Sequence, residues 1–202
     1  MGQRRTFAVV LLFALAAVLP ASASQIVYNA TLTGFDAFPP NASPGSGHAT
    51  VTVDPGAHTM RVSASFSDLL GPSAVSHIHC CTADAGTGTA GAATTLPTFL
   101  GFPLGVTAGT YDQTFDLMLA STYNPAFIAG NGGTAASASA AFLDGLAAGA
   151  AYFDVHTSLF PGGEIRGFLA AAPIPEPEVY ALMLFGLAVM DCAVRRRRPR
   201  HA

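Results

Sequence analysis

The stretch GHATVTVDPGAHTMRVSASFSDL, Gly47 to Leu69, decides the fold. In its first half Ala49, Val51 and Val53 alternate with His48, Thr50 and Thr52. In its second, Met60, Val62, Ala64 and Phe66 alternate with Arg61, Ser63 and Ser65. Successive side chains of a strand point to opposite faces, so each half presents one apolar and one polar face. Between the halves, Asp54-Pro55-Gly56 predicts a β-hairpin turn. Such one-sided alternation belongs to antiparallel sheets with one face on a core and one in water.

The same period recurs outward from the hairpin. It runs through Ile26, Tyr28, Ala30 and Leu32 of QIVYNATLTG, and through PSAVSHIHC. TYDQTFDLML places Tyr111, Gln113, Phe115, Leu117 and Leu119 on one side. AAYFDVHT and GEIRGFLA form a closing pair around Phe160 to Gly163. About seven strands with short turns predict a mainly β fold, an antiparallel β-sandwich or barrel. Ala135 to Ala148 reads as one covering helix with Phe142, Leu143 and Leu146 as its packing face. Cys81 to Gly109 is longer than a plain connector, so it is either functional or mobile.

The two ends read as addresses. Arg4 and Arg5 precede an apolar run from Phe7 to Leu19, and Ala21 and Ala23 follow Pro20. That order predicts a secretory signal peptide over residues 1–23, handled by the general secretion machinery and signal peptidase. Residues 173–202 hold Pro175, Glu176 and Pro177, then an apolar segment from Val179 to Val194, then Arg195, Arg196, Arg197 and Arg198. This tail resembles the PEP-CTERM sorting signal of Gram-negative bacteria. The resemblance implies an exosortase partner, a short transmembrane helix that anchors the chain transiently in the inner membrane, and delivery to the cell surface or extracellular matrix. Arginines held on the cytoplasmic side agree with that topology.

Residues 24–172 remain as one domain. Nine acids against Arg61 and Arg166, with no lysine, leave this part a formal charge of −7. Nucleic-acid binding through phosphate neutralisation is excluded by that balance. Cys192 lies in the tail, so Cys80 and Cys81 are the only pair the domain can join, a vicinal disulfide or two small thiols. No C-x-x-C, G-x-S-x-G, Walker A or dinucleotide motif occurs, and no enzyme activity or obligate cofactor is expected.

One constellation carries chemistry. His77 and His79 share a strand face, and His156 lies on a candidate neighbouring strand with Asp154 on its own face. Imidazoles so placed could chelate one zinc or copper ion. The reading preferred on sequence alone has them as hydrogen-bonding strand residues that tie the long connection and the Glu164 turn to the sheet. Glu164 and Arg166 read as structural, with a salt bridge to a neighbour such as Asp154.

From Gln25 to Leu169 the domain resembles the CHRD domain, the module named after chordin. The resemblance rests on HIH at His77 to His79, on FLDGLAAGAAYFDVHT, and on PGGEIRG from Pro161 to Gly167. It implies an extracellular β module and no particular activity. The function expected is therefore that of a non-enzymatic surface or matrix protein, in adhesion or exopolysaccharide association, with a metal-binding module as the alternative. Deleting residues 175–200 is expected to abolish surface delivery in the host and leave the β domain folded. Protease accessibility on intact cells, set beside the melting curve of the truncated chain, checks both halves.

Overall fold

The computed structural model describes residues 25–173 and 177–197. The expected signal segment lies outside them, as do Pro175, Glu176 and Arg198 of the tail. The strands are β1 (Ile26–Thr33), β2 (Ser46–Asp54), β3 (Thr59–Ser67), β4 (Ser73–His79), β5 (Gly109–Asp116), β6 (Tyr152–Thr157), β7 (Ile165–Phe168) and the short β8 (Ala170–Ala171). The opening stretch is the β2–β3 hairpin, with Val51 opposite Val62 and Val53 opposite Met60, all four buried. The Asp54 carboxylate accepts the Ala57 N–H at 2.9 Å and so closes the turn.

All strands pair antiparallel in one curled sheet of order β4-β6-β7-β1-β2-β3-β5, with β8 added beside β1. The two end strands do not pair with each other, and the result is a half-barrel. Its inner face carries Leu32, Val51, Met60, Val62, Ile78, Phe153, Val155 and Ile165, each essentially inaccessible to water.

The open side is filled by the long connection. Phe99 stacks on Phe153 and Tyr111, and its ring also meets Phe115. Phe102 stacks on Phe66. Each buried phenylalanine contributes about 1.5–3 kcal/mol through the area it removes from water. The backbone of the connection also satisfies the outer edge of β4. Phe99 N donates to Ser76 O, Ala93 N and Thr94 N to Ile78 O, and Gly105 N to Ser73 O. Unpaired edge groups invite association with other chains, so covering them has value of its own.

The fifth strand is shorter than its alternation predicts. The Asp116 carboxylate accepts the Met118 N–H at 2.7 Å, and the Asp116 carbonyl accepts the Thr122 hydroxyl at 2.6 Å. These local bonds turn the chain into a 3₁₀ turn at Ala120–Thr122, so Leu117 is buried but Leu119 is exposed. A short helix that the periodicity did not signal follows, α1 (Pro125–Gly130), capped by Asn124 with Pro125 at its first position.

The expected covering helix is α2 (Ala135–Ala147), opened by a capping box of Thr134 and Ser137. It buries Ala138, Phe142, Gly145 and Leu146. Cys80 and Cys81 are joined by a disulfide, and a Cβ added at Gly145 would overlap both sulfurs. Small residues on α2 therefore let the helix lie directly on the end of β4.

The tail contains α3 (Pro177–Arg197), whose side chains from Leu182 to Cys192 are exposed. No helix among the described residues is long and apolar enough to cross a membrane, so the expected transmembrane helix is corrected. The apolar run Val179–Val194 would rise only about 24 Å as a helix, against a hydrocarbon core of about 30 Å, and Asp191 interrupts it.

Glu164 corrects a second expectation, the ion pair. Its carboxylate is fully buried and accepts from Ser43 Oγ (2.6 Å), Leu70 N (2.5 Å), Gly71 N (3.2 Å) and Thr157 Oγ1 (2.7 Å). Burial opposes its charge, but these four donors outweigh that and lower its pKa. A carboxylate with a depressed folded pKa adds stability above its unfolded pKa and loses it as pH falls through the folded one. Glu164→Gln is expected to cost about 1.5–3 kcal/mol at pH 7, the range for hydrogen bonds to a charged group. The difference from wild type should shrink below about pH 4, and denaturant unfolding at the two pH values measures it.

Candidate metal centre

Strand β4 carries His77 and His79 on one face, and β6 carries Asp154 and His156 two residues apart in the same way. The register sets His77 opposite Asp154, Val75 opposite His156 and His79 opposite Tyr152. Directly opposed residues of an antiparallel pair lie on the same face. All four functional side chains therefore converge, and one potential ligand atom from each lies within 4.8 Å of every other. The imidazole centroids are 5.6 to 6.0 Å apart. His77 and Asp154 are buried, while His79 and His156 lie nearer the surface.

The backbone around the cluster decides which nitrogen of each ring carries a proton. His77 Nε2 lies 2.7 Å from the Pro97 carbonyl oxygen, His79 Nδ1 2.9 Å from that of Ala90, and His156 Nδ1 2.7 Å from that of Pro161. A carbonyl oxygen can only accept, so each of these nitrogens donates. In the neutral rings that leaves lone pairs on His77 Nδ1, His79 Nε2 and His156 Nε2. All three atoms are buried without a hydrogen-bond partner, and so is Asp154 Oδ1. His79 Nε2 and His156 Nε2 lie 3.2 and 3.0 Å from Asp154 Oδ2. Lone pairs at that distance from a carboxylate repel it unless something positive lies among them.

Two positive charges can answer that demand. One is a proton. Burial works against charging His156, yet the hydrogen bond that a protonated Nε2 would donate to Asp154 and the carboxylate's charge outweigh burial and raise its pKa. For Asp154 burial would raise the pKa, but the hydrogen bonds and positive charge that protonated His156 and His79 would supply hold it well below the usual carboxylate range. Burial lowers the pKa of His77, and Asp154 offsets this only in part. The other answer is a metal ion, which His77, His79, Asp154 and His156 would hold together. Three neutral imidazoles and one carboxylate make a four-ligand set suited to zinc or copper(II). Each ring already donates its other N–H to a backbone carbonyl, the second contact that orients metal-bound histidines.

The surroundings hold the rings in place. Tyr152 stacks on His79 at 4.8 Å with planes 5° apart, and its hydroxyl donates to Ala90 O at 3.1 Å. Arg166 lies over the Tyr152 ring at 4.6 Å. Its Nε donates to Asp36 O at 2.6 Å and its Nη1 to Gly88 O at 3.0 Å. Backbone carbonyls thus take the contacts that the sequence reading assigned to a salt bridge with Asp154.

Every residue singled out for metal chemistry, His77, His79 and His156, lies in this one cluster, and Asp154 joins them as a fourth. The mirrored spacing of H-x-H in β4 and D-x-H in β6 is the sequence signal for it. The disulfide-bonded Cys80 and Cys81 offer no thiolate, and among the described residues Cys192 is the only free cysteine, exposed on α3. His48 and His58 flank the β2–β3 turn in solvent.

A family model described as the CHRD domain matches residues 28–169. No curated protein and no solved structure matches the chain. The geometry predicts proton competition at the centre. Zinc affinity, measured by chelator competition, should fall at least about 10-fold between pH 7.5 and 5.5. The reason is that His156, with its pKa raised above 6.5, must lose a proton before it can ligate.

Proposed function

We propose, from the premise that this chain belongs to the CHRD domain family, that it is an exported β domain organised around one divalent transition-metal ion. A CHRD domain suggests a secreted or extracellular protein. The observation that carries the metal reading is that His77, His79, Asp154 and His156 bring one potential ligand atom each within 4.8 Å of one another, while His77 Nδ1, His79 Nε2, His156 Nε2 and Asp154 Oδ1 are buried without hydrogen-bond partners. Four protein donors fill a tetrahedral shell and leave no position for substrate. The ion's role in this reading is therefore structural, and the domain is not an enzyme. Zinc and copper(II) suit the imidazole-carboxylate set, whereas copper(I) prefers sulfur ligands.

The tail supplies the address in the same reading. After secretion, an exosortase recognises Pro175-Glu176-Pro177 and the arginines that follow the apolar segment, and the domain stays at the cell surface or in the matrix. The sequence order of motif, apolar segment and basic cluster supports this. Adhesion or association with extracellular polysaccharide is the role that suits a lysine-free domain of low charge density.

The metal reading is tested on the exported domain by elemental analysis and by melting curves under zinc and copper(II) titration. One ion per chain is expected, with a melting temperature that climbs as free metal rises. At 100 times Kd the gain is about 2.7 kcal/mol. His77→Ala and His79→Ala should abolish both the bound ion and the metal-dependent shift. A wild-type melting curve indifferent to either metal, with the two variants merely less stable, would leave these histidines as hydrogen-bonding strand residues only.

A further inference from the structure

We infer that the ion at this centre clamps two mostly exposed segments, residues 84–90 of the long connection and residues 158–163 of the β6–β7 turn. The inference rests on the metal reading above and concerns what the ion controls.

The long connection is held in two different ways. Its part from Gly91 to Phe99 is pinned along β4 by backbone bonds: Cys80 N to Gly91 O, Ala93 N and Thr94 N to Ile78 O, and Phe99 N to Ser76 O. Thr94 is fully buried and accepts the Ile78 N–H at 2.9 Å, and Phe99 sits in the core. Although His77 adds a bond to Pro97 O, these anchors hold that part without it.

Residues 84–89 are exposed and have few anchors. The segment is tied at its base by Gly86 N to Gly149 O and at Gly88 O by Arg166. At its far end, Ala90 O accepts from His79 Nδ1 and the Tyr152 hydroxyl, and Ala90 N donates back to that hydroxyl at 3.2 Å. The Tyr152 ring lies flat on the His79 ring, so the two side chains that hold Ala90 are packed against each other, and the His79 hold depends on the orientation of its imidazole. The β6–β7 turn is similar. Apart from bonds among Thr157, Phe160 and Gly163, and Ser158 N to Pro72 O, its link to the cluster is His156 Nδ1 donating to Pro161 O at 2.7 Å.

An ion on Nε2 fixes the ring and makes the opposite N–H a stronger donor. When it leaves, His79 Nε2 and His156 Nε2 again face Asp154 Oδ2 at about 3 Å, and the two rings lose the contact that fixes their orientation. That loss acts on Ala90 and Pro161, which the same rings hold through Nδ1, and bypasses the Gly91–Phe99 anchors. Exposed segments with few anchors open at low free-energy cost, so they are where a change in two hydrogen bonds is read.

Hydrogen exchange by mass spectrometry on the full exported domain, with saturating zinc and with chelator, tests the clamp. At short labelling times, before the sheet exchanges through global unfolding, zinc is expected to slow exchange at least about 5-fold in peptides covering 84–90 and 158–163, and to leave uptake by 91–99 and by the β1–β2–β3–β5 part of the sheet unchanged. Tyr152→Phe should keep one zinc per chain and the protection at 158–163, and should weaken without abolishing that at 84–90, since His79 Nδ1 still donates to Ala90 O. If zinc binds one per chain and the two segments exchange as fast as before, or slow only in step with the whole sheet, the clamp is overturned and the metal centre stands. If no zinc binds, the centre and the clamp fall together.

Discussion

Everything distinctive in this molecule depends on β4 being bonded along both edges. On one side its antiparallel register with β6 aligns His77 with Asp154 and Val75 with His156. On the other side the long connection fills the edge that a half-barrel would otherwise leave open. A one-residue slip against β6 would send His77 and His79 into the apolar interior and turn Ile78 outward. Register is therefore set by the core, through Ile78, Phe153 and Val155, and the polar cluster inherits its geometry from apolar packing. Because the same strand organises the core and the cluster, neither can shift without the other.

The cluster is costly to leave without a cation. Buried acceptors without partners lose hydration and gain nothing in return, at roughly 1–3 kcal/mol each and more when charged. Two strategies for buried carboxylates stand side by side here. Glu164 is surrounded by four hydrogen-bond donors and needs no counter-charge. Asp154 is surrounded by imidazole nitrogens whose N–H groups point away to backbone carbonyls, so it demands a positive charge from a proton or a metal. The first arrangement locks a turn, and the second makes a binding site.

Arg166 shows how an ion-pair expectation fails for a physical reason. It stands opposite Asp154 in the β6–β7 register, which places the pair on one face. Its guanidinium nevertheless lies over Tyr152 and Phe168 and donates to the carbonyls of Asp36 and Gly88. A planar donor group can gain more from stacking and carbonyl acceptors than from a carboxylate already engaged by two imidazoles.

The sequence by itself determined the strands and the faces they present. Period-two alternation is local, so Met60 to Phe66 or Tyr28 to Leu32 could be assigned without knowing their partners. It also placed His77 and His79 on one face and marked Ala135–Ala148 as helical, because spacing and small-residue content need no tertiary information. It overran the fifth strand, where side-chain bonds at Asp116 end the ladder, and it gave no sign of α1. Only the tertiary structure decided that the long connection belongs to the core, since Phe99 and Phe102 are buried by strands remote in the chain. It alone fixed the imidazole tautomers, for Pro97, Ala90 and Pro161 lie between 5 and 20 residues from the rings they orient. Which strands become neighbours is set by burial of the whole apolar surface at once, and no local pattern encodes that sum.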